Sequence, residues 1–107
     1  MIKQIERKDL AECVSVIRES FITVADEFGF TAENASRFTA FATTEDRLVW
    51  HFVGEHRPMF GYFDNETIIG YYSLLLQENN ECELNNLCVL PAYRHQKNRR
   101  STFEALL

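Results

Sequence analysis

The 107-residue chain has few residues that interrupt regular structure or cross-link it, with 4 glycines, 2 prolines and 3 cysteines. An odd number of cysteines without CxxC spacing is typical of reduced thiols, so the sequence favours a cytoplasmic protein over a disulfide-stabilised secreted one. No apolar run approaches the roughly 18–20 residues that a membrane span needs. The first ten residues, MIKQIERKDL, also lack the apolar region of a signal peptide. These absences predict a protein that is neither secreted nor membrane-embedded.

Basic residues are scarce as well, since 11 Lys and Arg face 16 Asp and Glu and the formal net charge is −5. General nucleic-acid binding needs a broad basic face, so we expect no nucleic-acid partner. His51 and His56 are five residues apart and do not share a helix face, and no Cys or Asp is spaced to join them. We therefore expect no metal site. The hydrophobic fraction of 46% is typical of a globular protein, and the length fits one domain over residues 1–107.

The hydrophobic period changes from helical to strand-like near Arg57. We predict a strand over 1–6, a helix over 10–20, and a connection or a frayed helical end over 23–30. Helices are expected to open at Thr31 and Thr43. Strands are expected over 58–63, 67–77 and 81–90, followed by a final helix. Asp9 with Glu12 fits a capping box at the start of the first helix. Gly70 interrupts its strand and predicts a bulge or a close approach of two backbones.

The stretch from Glu81 to Arg100 combines a strand, a proline and a basic turn that leads into a helical pattern. There is no Asp or Glu from Asn85 to Phe103, and four of the 11 basic residues lie between Arg94 and Arg100. A basic turn at the junction of a strand and a helix, on an otherwise acidic chain, predicts a bound anion.

This order of elements, together with the segments DNETIIGYYSLLLQ and ECELNNLCVLPAYRHQ, resembles the GNAT superfamily of N-acetyltransferases over residues 1–96. The resemblance implies an α/β (α+β) fold of order β-α-α-β-β-β-α with a mixed, mainly antiparallel sheet. It also implies transfer of an acetyl group from acetyl-CoA to a primary amine of a small molecule or peptide. The most specific segment is LCVLPAYRHQ, which is similar to the end of the family's central strand and the approach to its acyl-CoA pyrophosphate loop.

By this resemblance, the backbones of Leu87, Cys88 and Val89 pair with the pantetheine arm, and a turn beginning at Arg94 holds the diphosphate. The other residues of the cofactor turn are His95, Gln96, Lys97, Asn98 and Arg99. Lys97 and Arg99 stand where the family has two glycines. Hydrogen bonds to a charged group contribute roughly 1.5–3 kcal/mol each, so losing two or three backbone contacts to phosphate would weaken cofactor binding.

The resemblance also proposes a catalytic residue, Glu83, which lies six residues before Val89 as the general base does in the histone-acetyltransferase branch. Such a base would take a proton from the attacking amine, and the alternative is an exposed strand carboxylate. Asn85 and Asn86 either face outward or bind the substrate, and the segment from 30 to 41 is expected to wall the acceptor side. Cys88 is expected to be a buried thiol. Four aromatic residues are expected in the core, namely Phe38, Phe41, Trp50 and Phe52.

Family members usually continue beyond this point with a strand, a helix and a hairpin, so we expect the chain to be the N-terminal portion of the fold. Two interpretations stay open: a truncated copy, or a short variant that completes its sheet by association. The alternative function is a catalytically inactive remnant or interaction module. Such a module would form a homodimer through the open edge of the sheet.

Overall fold

A computed structural model of the chain describes residues 1–94. The elements are β1 (Ile2–Gln4), α1 (Leu10–Phe28), α2 (Thr39–Ala42), α3 (Glu45–Val49), β2 (Met59–Asp64), β3 (Thr67–Leu76) and β4 (Cys82–Val89). Single turns of 3₁₀-helix occupy Arg7–Asp9 and Pro91–Tyr93, and a π-helical turn covers Trp50–Gly54. The predicted final helix and the cofactor turn from His95 to Arg99 lie outside the described residues.

The four strands form one sheet in the order β1-β2-β3-β4, and each neighbouring pair is antiparallel. The predicted three-strand meander is therefore confirmed, and β1 extends it on the far side. Asn65 and Asn80, in the two connecting turns, have φ angles of 58° and 65°. Asparagine tolerates this left-handed conformation better than most residues, which suits it to tight hairpins. Within residues 1–94 the sheet contains no parallel pair, so the expected mixed character does not appear there.

Gly70 lies beside an irregularity in β3, as predicted. The register between β2 and β3 shifts at Tyr62 and Phe63, where β3 carries one extra residue. A Cβ atom on Gly70 would come within 3.1 Å of the Cys88 carbonyl oxygen on β4. The glycine therefore permits a close approach between the backbones of the two strands.

Helix α1 is longer than the predicted 10–20, because the segment that was expected to be a connection or a helical end continues the helix to Phe28. It ends at Gly29, whose φ of 71° and hydrogen bond to the Ala25 carbonyl make a left-handed C-cap. The predicted capping box is also wrong. The Asp9 carboxylate accepts a bond from the Glu6 amide at 3.0 Å, and Glu12 instead accepts one from the Ile68 amide at 2.8 Å. Glu12 thus joins α1 to β3.

The predicted helix opening at Thr31 is absent from the structure. Thr31 and Asn34 bond each other's backbone amides through their side chains, at 2.8 and 3.1 Å. These bonds satisfy the backbone without a helix, which is a known competing preference of both residue types. The later helix start is displaced by one residue, since Thr44 accepts a bond from the Arg47 amide at 3.2 Å while Thr43 bonds back to Thr39.

The core lies between α1 and one face of the sheet. Its fully buried residues include Leu10, Cys13 and Ile17 at helical spacing on α1, with Met59 and Ile68 opposite them on the strands. Burial of such side chains supplies about 1.5–3 kcal/mol each. Phe52 packs against this core as expected. The prediction for Trp50 is wrong, because its side chain is 62% exposed on the π-helical turn.

Within the same residues, no helix is both long enough and apolar enough to cross a membrane.

Candidate functional site

A cavity of about 320 Å³ lies between α1 and β4. The residues that line it are Ser20, Phe21, Val24, Leu87, Cys88, Val89 and Arg94. The structure thus brings together all four of the described residues that the sequence assigned to the cofactor. We call this cavity the groove. Its lining is mainly apolar, with one arginine at its end.

A β-bulge in β4 lies immediately before the groove. Tyr71 pairs with Cys88 but Ser73 pairs with Asn85, so Tyr72 alone faces two β4 residues, Asn86 and Leu87. Asn86 has a φ of 57°. A bulge bends its strand and interrupts the ladder, so β4 changes direction where it enters the groove.

Arg94 connects the two walls of the groove. Its Nε donates to the Val89 carbonyl at 2.9 Å and its Nη1 to the Thr23 hydroxyl at 2.8 Å. Its Nη2 donates to the Ser20 carbonyl. One side chain therefore joins the end of β4 to the middle of α1 through charge-assisted hydrogen bonds. These contacts give Arg94 a structural role, and its assigned role at the diphosphate stays a prediction.

Two polar groups are buried in the groove. Burial raises the pKa of the Cys88 thiol to about 11, although the positive charge of Arg94 acts in the opposite direction. The thiol is therefore protonated at neutral pH and is a poor nucleophile, in agreement with the expectation of a buried cysteine. The Ser20 hydroxyl oxygen is buried and has no hydrogen-bond partner within residues 1–94.

Glu83 lies toward the opposite end of β4 and is exposed. Its Oε2 accepts a hydrogen bond from the Gln77 side chain at 3.0 Å, and Leu75 is its partner on β3. Six residues of strand separate it from Val89, which corresponds to roughly 20 Å. Glu83 is not among the residues that line the groove. Its role as the base stays a prediction.

A second cavity, of about 210 Å³, lies on the other side of the bulge, and we call it the polar cavity. The residues that line it are Arg37, Thr39, Ala42, Thr43, Arg47, Leu48, His51, Arg57, Asn85 and Asn86. Asn85 and Asn86 directly precede Leu87, so β4 contributes to both cavities. Arg37 and Thr39 belong to the segment that was expected to wall the acceptor side.

His51 is a half-buried member of the polar cavity, and its Nε2 lies 3.8 Å from a Glu55 carboxylate oxygen. Burial lowers the pKa of His51, and the positive charges of Arg57 and Arg47 act in the same direction, while Glu55 opposes them. The imidazole is therefore neutral at pH 7. Within residues 1–94, no group of three or more His, Cys, Asp or Glu side chains is arranged to hold a metal ion.

Sequence reasoning missed His51 and the three arginines of the polar cavity. They come from the loop before α2, from α3 and from the segments that follow it. No spacing rule links such residues, because only the packing of these segments against β4 brings them together. The available signal was the pair of polar residues in the middle of a strand, Asn85 and Asn86.

Comparison with known proteins decides the family. The sequence model of a protein family, described as the acetyltransferase (GNAT) family, matches residues 19–97 of this chain. The chain belongs to this family. Every residue that lines the groove or the polar cavity falls within the matched range.

Comparison with solved structures agrees with the GNAT assignment. The PaiA N-acetyltransferase of Thermoplasma acidophilum, whose structure is a complex with coenzyme A, is similar with a TM-score of 0.77 and 23% sequence identity. The match covers 99% of this chain and 69% of that one. This likeness shows the GNAT fold. The comparison with curated proteins found no match.

Proposed function

We propose that this GNAT chain is an N-acetyltransferase that holds acetyl-CoA in the groove and transfers its acetyl group to a primary amine. The observation that carries the proposal is the groove itself, where Leu87, Cys88, Val89 and Arg94 converge beside the bulge in β4. The structural similarity to an N-acetyltransferase in complex with coenzyme A supports it.

The chemistry of the groove fits an acyl-CoA. Its apolar walls, from Phe21, Val24 and Leu87, suit the aliphatic part of a pantetheine arm, and the unpartnered Ser20 hydroxyl offers a hydrogen bond to a polar group there. Acetyl-CoA supplies the activated acyl group as a thioester. The groove that would hold it lies beside β4, the strand that also reaches the polar cavity.

The proposed reaction is direct transfer. The amine nitrogen forms a bond to the acyl carbon, the carbon–sulfur bond breaks, and the sulfur leaves as the CoA thiolate. A base removes the proton of the amine, and Glu83 is our proposed residue for this role. The protonated, buried Cys88 thiol takes no covalent part in this scheme.

Isothermal titration with acetyl-CoA tests the proposal. Val24→Trp should fill the groove and abolish binding, because Val24 lines it from α1. The matched control is Ile22→Trp, two residues away on an exposed position of the same helix (37% exposed), and it should bind like the parent. Arg94→Ala is a poor probe here because its loss also releases α1 from β4. The proposal fails if the folded parent gives no heat at millimolar acetyl-CoA, or if both variants bind equally.

A second candidate function is self-association through β4. Within residues 1–94, β4 pairs with β3 alone, and the side chain of Leu84 is 48% exposed. Unpaired edges of this kind accept a further strand. Because β4 also forms a wall of the groove, added strands and acetyl-CoA should compete for it. Size-exclusion chromatography should then show a dimer that acetyl-CoA dissociates, and a monomer at all concentrations contradicts this candidate.

A further inference from the structure

The polar cavity concentrates positive charge on an acidic protein. Among residues 1–94, three arginines line it, namely Arg37, Arg47 and Arg57, and no Asp or Glu does. The chain as a whole carries a formal charge of −5. The local charge is therefore opposite in sign to the average, and a cleft lined by one sign attracts ligands of the other.

Two of the three guanidinium groups are available to a ligand. Arg57 is committed to Glu55, because its Nε and Nη2 both lie 3.1 Å from the same carboxylate oxygen. Within residues 1–94, the side chains of Arg37 and Arg47 make no hydrogen bond or ion pair. Both belong to exposed residues at the mouth of the cavity. Guanidinium groups bind carboxylate and phosphate through paired hydrogen bonds.

The polar cavity lies next to the groove, on the side where the acceptor amine would approach. Asn85 and Asn86 line the polar cavity, and Leu87, the next residue of β4, lines the groove. Two residues of strand, from Asn85 to Leu87, span roughly 7 Å. The two cavities therefore meet at consecutive residues of β4, and a molecule that spans this part of the strand would contact both.

We propose that the acceptor amine carries an anionic group, a carboxylate or a phosphate, and that Arg37 and Arg47 bind this group while the amine faces the groove. The inference rests on the proposed acetyl transfer and adds the substrate class to it. Neutral His51 and the amides of Asn85 and Asn86 supply further hydrogen bonds. An acceptor with several positive charges and no anion is disfavoured, because the two arginines repel it.

Binding of simple probes tests the site without any catalytic step. The probes are inorganic phosphate, lysine and 1,5-diaminopentane, which is lysine without the carboxylate. Each is titrated into the protein while the side-chain amide signals of Asn85 and Asn86 are followed by NMR. Phosphate or lysine should shift these signals and diaminopentane should not. The double variant R37Q/R47Q should weaken binding at least tenfold. The control R7Q replaces an exposed arginine near the start of the chain that does not line the polar cavity, and it should leave binding unchanged.

The rate of acetyl transfer is then measured for two pairs of amines. Lysine and 1,5-diaminopentane differ by a carboxylate, and phosphoethanolamine and ethanolamine differ by a phosphate. A kcat/KM at least tenfold higher for an anionic amine than for its partner, lost in R37Q/R47Q, supports the proposal. It is overturned if phosphate and lysine leave the amide signals unshifted, if R37Q/R47Q binds them as the parent does, or if the amine without an anion is the better substrate. Anion binding at the amides without any heat from acetyl-CoA would instead refute the groove and support the polar cavity as an anion site.

Discussion

Replacing Arg94 with alanine should destabilise the protein even without a ligand. The side chain donates three hydrogen bonds, to Val89, Thr23 and Ser20, and it is half-buried. A bond from a charged donor contributes roughly 1.5–3 kcal/mol, and bonds that share one donor group are not additive. We therefore expect a loss of about 3 kcal/mol, which is a large part of the roughly 5–15 kcal/mol that stabilises a typical domain.

Urea unfolding measures this loss as a lower midpoint at an unchanged m value. For a domain of this size, about 3 kcal/mol corresponds to a melting temperature lower by about 12–24 °C. Thr23→Val removes one acceptor of the three and should cost about 1.5 kcal/mol, the lower end of the range for a bond from a charged donor. Arg7→Ala, at an exposed position, should stay within about 0.5 kcal/mol of the parent. If Arg94→Ala unfolds at the parent's midpoint, Arg94 does not hold α1 to β4, and the structural role inferred for it is wrong.

Three further predictions concern pH, catalysis and the end of α1. Burial raises the pKa of the Cys13 thiol from 9.0 to about 12, so the unfolded chain loses this proton first and stability falls above pH 9. The loss in the free energy of unfolding reaches about 1.4 kcal/mol per pH unit. The free energy of unfolding of Cys13→Ala should therefore fall less steeply with pH by that amount, and an equal slope for the variant and the parent would contradict the prediction. If Glu83 is the base, Glu83→Gln should lower kcat by roughly 10²–10⁴-fold. The control Glu81→Gln should change kcat little, and equal rates for the two variants would exclude Glu83 as the base. Gly29→Ala should lower the free energy of unfolding by about 1 kcal/mol, because its φ of 71° is left-handed, whereas Gly29→Asn should cost less.

The meander was predictable because each of its signals is local. Alternating strand residues are interrupted by Asn65 and Asn80, and both asparagines adopt the left-handed turn conformation. The helices were harder to predict, since Thr31 and Asn34 satisfy their own backbone and Glu12 bonds a strand amide 56 residues away. Local propensity does not contain such tertiary partners.

The site was predictable only where it follows one continuous segment. Leu87, Cys88 and Val89 are consecutive on a strand, so a resemblance in sequence places all three together. The partners of Arg94 on α1 are 71 and 74 residues away, and nothing in the spacing indicates them. The polar cavity is likewise a product of chain packing, which is why its arginines had no signal of their own.

The extra residue at Asn86 lets the two halves of β4 keep the same phase relative to β3. Tyr71 faces Cys88 and Ser73 faces Asn85, so Cys88 and Asn85 lie on one face of the sheet although they are three residues apart. Deleting Asn86 would therefore turn β4 into a regular strand that keeps both of these pairings. The deletion would remove the bend and one amide of the polar cavity, while Leu87, Cys88 and Val89 would keep their register against β3.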